Sequence, residues 1–194
     1  GRPAFGAALS DSDKGTSQGM SVRHKGNNVL VMQSGGPTAV LNRSLAGIVD
    51  EASDQRALGT LYGASHGLAG LLKGEFIALE RTSGATWRRI ARTPGAALGS
   101  TRRKLGVEDE PVVLEALSKR DIGYLFIIGG NDSAETGHRI YVAANAAGYP
   151  LSVINVPKTI DNDLVISDHS PGYGSAARFV ALATLGAGRD AEAM

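Results

Sequence analysis

The densest group of reactive side chains is Pro157-Lys158-Thr159-Ile160-Asp161-Asn162-Asp163, with a cation, a hydroxyl and two carboxylates in seven residues. Two aspartates two positions apart suit proton transfer, one taking a hydroxyl proton while the other orients the group. A lysine beside them suits charge neutralisation of a phosphoryl group in transfer. An Asx-turn in a charged surface loop would need neither Ile160 nor this mixture of charges. Two further loops have complementary chemistry. Ser34-Gly35-Gly36-Pro37-Thr38 brings two residues without side chains to a helix start, where backbone amides and the helix dipole favour phosphate. From this loop alone, a tight turn with glycine at positive φ reads equally well. Gly129-Gly130-Asn131-Asp132-Ser133 repeats the arrangement with a carboxamide and a carboxylate. It reads either as a helix cap through Asp132 or Ser133, or as a corner for magnesium and phosphate.

Each of these loops follows a short apolar run. Asn28 to Gln33, Tyr124 to Ile128 and Leu151 to Val156 are predicted strands, with Thr60 to Ala64 a further one and Glu75 to Leu79 an extended piece. Helical spacing follows each: Val40, Leu41, Leu45, Ile48, Val49 and Ala52 after the first loop, Ser133 to Ala147 after the second, and Gly174 to about Gly188 near the end. Leu68 to Leu72 is a short helical turn. Thr82 or Ser83 is expected to cap a helix through Trp87, Ile90 and Ala91 that ends before Pro94, with Gly95 to Arg102 a loop after it. Asp109 is expected to cap a helix with Pro111 early and Val113, Leu114 and Leu117 on its buried face. Strands alternating with helices give an α/β fold, a mostly parallel sheet with helices on both faces. The three polar loops then converge beyond the carboxyl ends of the strands, where such sheets bind ligands.

Composition narrows the functional classes. Twenty basic and nineteen acidic residues leave a net charge of +1, which argues against nucleic-acid binding by bulk electrostatics. With no cysteine there is no thiolate metal site, disulfide framework or thiol nucleophile. No apolar run approaches the roughly 20 residues of a membrane span, so a soluble, cytoplasmic protein with no membrane partner is expected. Residues 1–27, rich in glycine, serine and charge, are expected to be a flexible leader or tag with Met20 as an alternative start, and residues 28–194 one domain. His66, His138 and His169 have no metal-ligand spacing. Arg88, Arg89 and Arg92 read as a solvated helix face, and Trp87 as core.

Ser34 to Asn42 (SGGPTAVLN), Gly129 to Ser133 (GGNDS), Thr159 to Asp163 (TIDND) and Pro171 to Phe179 (PGYGSAARF) together resemble the phosphofructokinase family, over about Val29 to Met194. The resemblance implies one of two similar α/β domains with an active site between them. This would be the donor-binding domain, with the second domain largely absent. It implies Asp161 as the general base at the sugar 1-hydroxyl, Asp163 as its supporting carboxylate, and Thr159, Ile160 and Asp161 as the acceptor-binding run. Gly35 and Gly36 would meet the donor phosphate through their backbone, and Arg102 would bridge donor and acceptor.

Two positions bear on the donor. ATP-using members usually have glycine where Asp132 and Lys158 stand here, whereas pyrophosphate-using members resemble GGDDS and PKTIDND. Asp132 would place a carboxylate where a nucleotide α-phosphate must sit, and Lys158 would add a cation for pyrophosphate cleavage. The resemblance therefore implies pyrophosphate and fructose 6-phosphate as substrates, magnesium as cofactor, and a homodimer or homotetramer at full length. ATP as donor and a non-catalytic phosphate-binding fragment remain as alternatives. Two departures stand out. Asn131 replaces the family's magnesium-linked aspartate, leaving Asn131 and Asp132 as the metal candidates, and the family's MGR motif, an acceptor contact, is missing from this sequence.

Overall fold

The structure is a computed structural model that describes residues 26–194, so the expected leader lies outside the described residues except for Gly26 and Asn27. The strands are β1 (Asn28–Gln33), β2 (Leu61–Ala64), β3 (Phe76–Ala78), β4 (Ile122–Gly129) and β5 (Ser152–Pro157). The helices are α1 (Ala39–Asp54), α2 (Leu68–Lys73), α3 (Gly84–Arg92), α4 (Glu110–Ser118), α5 (Asn131–Ala146) and α6 (Tyr173–Ala193). The five strands form one sheet in the order β3-β2-β1-β4-β5. β1 pairs in parallel with both β2 and β4, and β4 with β5, while the edge strand β3 runs antiparallel to β2.

This order sends the chain from β1 to β2 on one side and later to β4 on the other. The order in which strands are added therefore reverses between β1 and β4, and the crevice of an open α/β sheet lies at that switch point. The first two polar loops leave these two strands side by side, because Gln33 stands opposite Ile128 in the register.

Side-chain alternation along the central strand builds the two cores. Leu30 and Met32 join Leu125, Ile127, Leu68, Leu71, Val113, Leu117 and Ile140 on one face. Val29 and Val31 join Leu41, Leu45, Val49, Trp87 and Ile128 on the other. Helices α2, α4 and α5 thus cover the first face, and α1 and α3 the second. Period-2 apolar residues on strands buried on both sides leave little room for polar groups, which makes the fully buried Gln33 at the end of β1 conspicuous.

Local expectations mostly hold at the helix starts. Ser83 caps α3, its hydroxyl accepting the Thr86 amide at 3.3 Å, and Thr38 caps α1 by accepting the Val40 amide. Two differ. α5 begins at Asn131 with Gly130 at the cap position, so Asp132 and Ser133 lie inside the first turn and neither side chain caps it. Asp109 occupies the cap position of α4, but its carboxylate turns back to the preceding segment, where the Gly106 amide donates to Oδ2 at 2.9 Å and the Arg103 guanidinium to Oδ1 at 2.8 Å. α6 is longer than expected and buries none of its residues.

Replacing Ile127, wholly buried at the sheet centre, by Ala is expected to cost about 2–5 kcal/mol of stability. Phe179→Ser, at a side chain 73% exposed, should stay within about 0.5 kcal/mol. Chemical denaturation of both variants measures the contrast.

Candidate active site

β1, β4 and β5 run parallel, so the residues that leave their carboxyl ends are neighbours by construction. Lys158, the first residue after β5, joins all three. Its amide donates to the Gly129 carbonyl at 2.9 Å, and its ammonium donates to the Gly36 carbonyl at 3.0 Å. The first loop is set against β4 by the Ser34 amide, which donates to Ile128 O at 2.9 Å.

Gly35 sits at φ +80°, and a Cβ there would stand 3.2 Å from the Lys158 ammonium nitrogen. Both backbone conformation and the lysine thus call for glycine. Gly36 has neither restriction; a Cβ there would lie at ordinary contact distance, 3.6 Å, from an Arg102 guanidinium nitrogen. Gly129 is required by close approach, since its Cβ would fall 2.2 Å from the Ser133 hydroxyl. With α5 starting at Asn131, the amides of Asn131 and Asp132 have no carbonyl four residues back within the helix, and the positive end of the dipole faces the same space.

A cavity of about 610 Å³ opens here, and Gly35, Gly36, Arg102, Asn131, Asp132 and Lys158 all line it. The expected donor-side residues are therefore brought together. Thr159, Ile160, Asp161 and Asp163 are not among the lining residues. They continue from Lys158 along an irregular run in which Thr159 is half-buried and Ile160, Asp161 and Asp163 are exposed. Asp132 is exposed, with the Lys104 ammonium 3.8 Å from its carboxylate. Exposed pairs of this kind contribute little to stability. Among the described residues no group of three His, Cys, Asp or Glu gathers to hold a metal.

A phosphofructokinase profile matches residues 28–194. The chain belongs to the phosphofructokinase family. It is 45% identical over 166 residues to the pyrophosphate–fructose 6-phosphate 1-phosphotransferase of Rhodospirillum rubrum, covering 86% of this chain and 41% of that protein. It is 39% identical over 166 residues to the sulfofructose kinase of Alkalicoccus urumqiensis, covering 86% of this chain and 42% of that one. The crystal structure of the pyrophosphate-dependent phosphofructokinase from Nitrosospira multiformis superposes with a TM-score of 0.77 at 39% identity, over 84% of this chain and 42% of the other. The chain thus spans about two-fifths of the length of the relatives it matches.

In this phosphofructokinase-family domain the cavity depends on residues that the motifs do not include. The segment from Thr93 to Asp109 has no regular structure, yet it brings Arg102 to the cavity. Side chains hold it. Gln33 accepts the Leu98 amide at 2.9 Å and donates to Asn42 at 3.2 Å, while Asn42 accepts the Ala97 amide at 2.7 Å and donates to Thr93 O at 2.8 Å. Both amides are buried and use their donors and acceptors on one another and on the loop backbone. Farther along, the Ser100 hydroxyl donates to Gly35 O and the Gly35 amide donates to Thr101 O, so loop and segment fix each other. Arg139 donates to Leu105 O and to Glu110, at 2.6 Å for the latter. The sequence held a signal for the first pair: Gln33 ends an apolar strand, and Asn42 lies beside Leu41 on the buried face of α1.

Asp109 closes the segment. The Gly106 amide on its carboxylate, and then the Arg103 guanidinium, hold its pKa below the usual carboxylate value, against the opposing effect of burial. A folded-state pKa below the unfolded one stabilises the fold above about pH 4 and ceases to do so as pH falls through the folded value. Native protein and Asp109→Asn are therefore expected to differ in thermal midpoint near neutrality and to converge below pH ~4, as acid unfolding curves would reveal.

Gly35→Ala forces a left-handed alanine, a strain of about 1–2 kcal/mol, and pushes on Lys158. Its stability in chemical denaturation is expected to fall by about 1–2 kcal/mol, with Gly36→Ala falling less.

Proposed function

We propose that this domain supplies the donor site for phosphoryl transfer from pyrophosphate to the 1-hydroxyl of fructose 6-phosphate, giving fructose 1,6-bisphosphate and phosphate. The observation that carries the reading is the convergence of Lys158, Arg102 and the α5 N-terminus on one cavity, with Asp161 and Asp163 following Lys158 directly. Pyrophosphate lies with its leaving phosphate against the Gly35-Gly36 backbone and the Lys158 ammonium. Arg102 spans the two substrates as negative charge shifts onto the leaving oxygen. Asp161 takes the proton of the sugar hydroxyl as the oxygen attacks the terminal phosphorus, and Asp163 orients it. Positioning and charge stabilisation dominate such transfers, because little covalent work falls to the protein.

Magnesium fits this site as an ion carried by the donor. Asn131 and Asp132 offer one carbonyl and one exposed carboxylate, too few hard oxygens for an all-protein cage. Asn131 and Asp132 would hold such an ion only together with oxygens the donor brings. Bound there, the ion would offset charge on the transferring group.

The donor reading draws on Asp132 and Lys158, and on relatives named for pyrophosphate. The acceptor reading is coarser, since one relative is named for sulfofructose. The decisive experiment is an assay of the full-length chain with pyrophosphate or ATP as donor and fructose 6-phosphate or sulfofructose as acceptor. Turnover with pyrophosphate and fructose 6-phosphate is expected, and activity with ATP alone would refute the donor assignment. Asp161→Ala is expected to lower kcat by about 10²–10⁴-fold with pyrophosphate affinity retained.

A further inference from the structure

The run after Lys158 is irregular, yet two carboxylates on it must be held at defined positions for the proposed chemistry. Its backbone is fixed at the residue between them. Asn162 has φ +57°, in the left-handed region where asparagine and aspartate are tolerated far better than most side chains. Its Oδ1 accepts the Ser170 amide at 2.7 Å, which closes a loop between residues eight positions apart. Ser170 is wholly buried and forms the entry to α6, its carbonyl accepting the Tyr173 amide at 3.1 Å.

The other side of the run is braced as well. The Thr159 hydroxyl accepts the Asp161 amide at 3.0 Å, a side-chain turn ending at the first carboxylate. Gly172, two residues after Ser170, sits at φ +94°, and a Cβ there would lie 3.1 Å from Ile160, so the α6 entry passes close beside the loop with little room for a side chain. The burial pattern agrees, with Asn162 half-buried and Asp161 and Asp163 exposed on either side.

We propose that Asn162 is the positioning residue for both carboxylates, acting through its clasp on Ser170. The left-handed turn at Asn162 sets the relative direction of the two flanking residues, and the clasp holds that turn against a fixed helix entry. The proposal rests on the reading of Asp161 as general base. A misplacement of about 1 Å in such a group can cost about a hundredfold in rate.

Three substitutions in the full-length chain separate the contributions. Asn162→Asp keeps both the tolerance for positive φ and the acceptor. Asn162→Gly keeps the backbone freedom but loses the acceptor, and Asn162→Ala loses both. Turnover, KM for pyrophosphate and hydrogen exchange at the Ser170 amide are measured for each. Asn162→Gly and Asn162→Ala are expected to lower kcat about 10–100-fold with KM for pyrophosphate within about twofold, and to lose protection at Ser170. Asn162→Asp should recover both. Native kcat in Asn162→Gly despite lost protection would overturn the proposal, as would loss of kcat and pyrophosphate affinity together in all three. If Asn162→Ala does not fold, Asn162→Gly decides the matter. Asp161→Ala, run beside them, separates the two claims, because full activity in that variant refutes the general base itself whatever Asn162 does.

Discussion

The two hydrogen bonds of Lys158 are the contacts on which the site's geometry depends. Its amide is fixed to the end of β4 and its ammonium to the first loop after β1, so one residue sets the spacing of three strand ends. The glycines follow from this. Gly35 must lack a side chain because the ammonium nitrogen occupies the place a Cβ would crowd, and its left-handed backbone turns the loop beneath it. A lysine held against a carbonyl keeps two further protons free for a ligand. With the start of α5 at the same cavity as Lys158, Arg102, Arg103, Lys104 and Arg139, positive charge gathers locally although the net charge of the chain is only +1.

The second constraint is how to hold a long irregular segment over that crevice. Residues between α3 and α4 have no ladder or helix to satisfy their backbone, so partners must come from side chains. Gln33 and Asn42 supply them from within the apolar layer. A buried amide left unpaired would cost on the order of 1–3 kcal/mol, but here each polar atom meets a backbone group or the other amide. An apolar pair of the same size would pack equally well and leave the Ala97 and Leu98 amides without acceptors. The polar pair therefore specifies where the Arg102 segment runs.

Much of this was legible in the sequence, for identifiable reasons. Short apolar runs mark four of the five strands, the fifth, antiparallel β3, reading only as an extended piece, and the mostly parallel sheet follows from their alternation with helices. Element ends were less legible where tertiary contacts decide them. α5 starts at Asn131 rather than at Ser133, with Gly130 at the cap and the first turn packed so closely on Gly129 that a Cβ there would meet Ser133. Asp109 looked like a helix cap because aspartate before a proline-containing first turn usually is one. The Gly106 amide and Arg103, neither of which the local pattern weighs, claimed its carboxylate instead. The donor-side residues were found by motif, but their support by Gln33, Asn42 and Arg139 was not, since these bonds span up to 65 positions and leave no periodic trace. The separation of Thr159 to Asp163 from the cavity was equally hidden, because sequence order places them next to Lys158 while the chain path carries them past it.

That separation clarifies how a donor would be selected. A cavity of about 610 Å³ is far roomier than pyrophosphate needs, so volume by itself would not turn away a nucleotide. Charge can. Along the cavity, Lys158 and Arg102 stand at the first loop, whereas Asp132 and Glu135 lie along α5, with Lys104 near Asp132. A pyrophosphate at the first loop meets the cations and stops short of the carboxylates. A longer donor would lay its next phosphate toward Asp132, an exposed carboxylate 3.8 Å from the solvent-screened Lys104, with Arg103 and Arg139 also on the cavity lining. On the proposed reading, selection arises from the order of charges along one wall, which explains how a site of nucleotide dimensions can serve a much smaller donor.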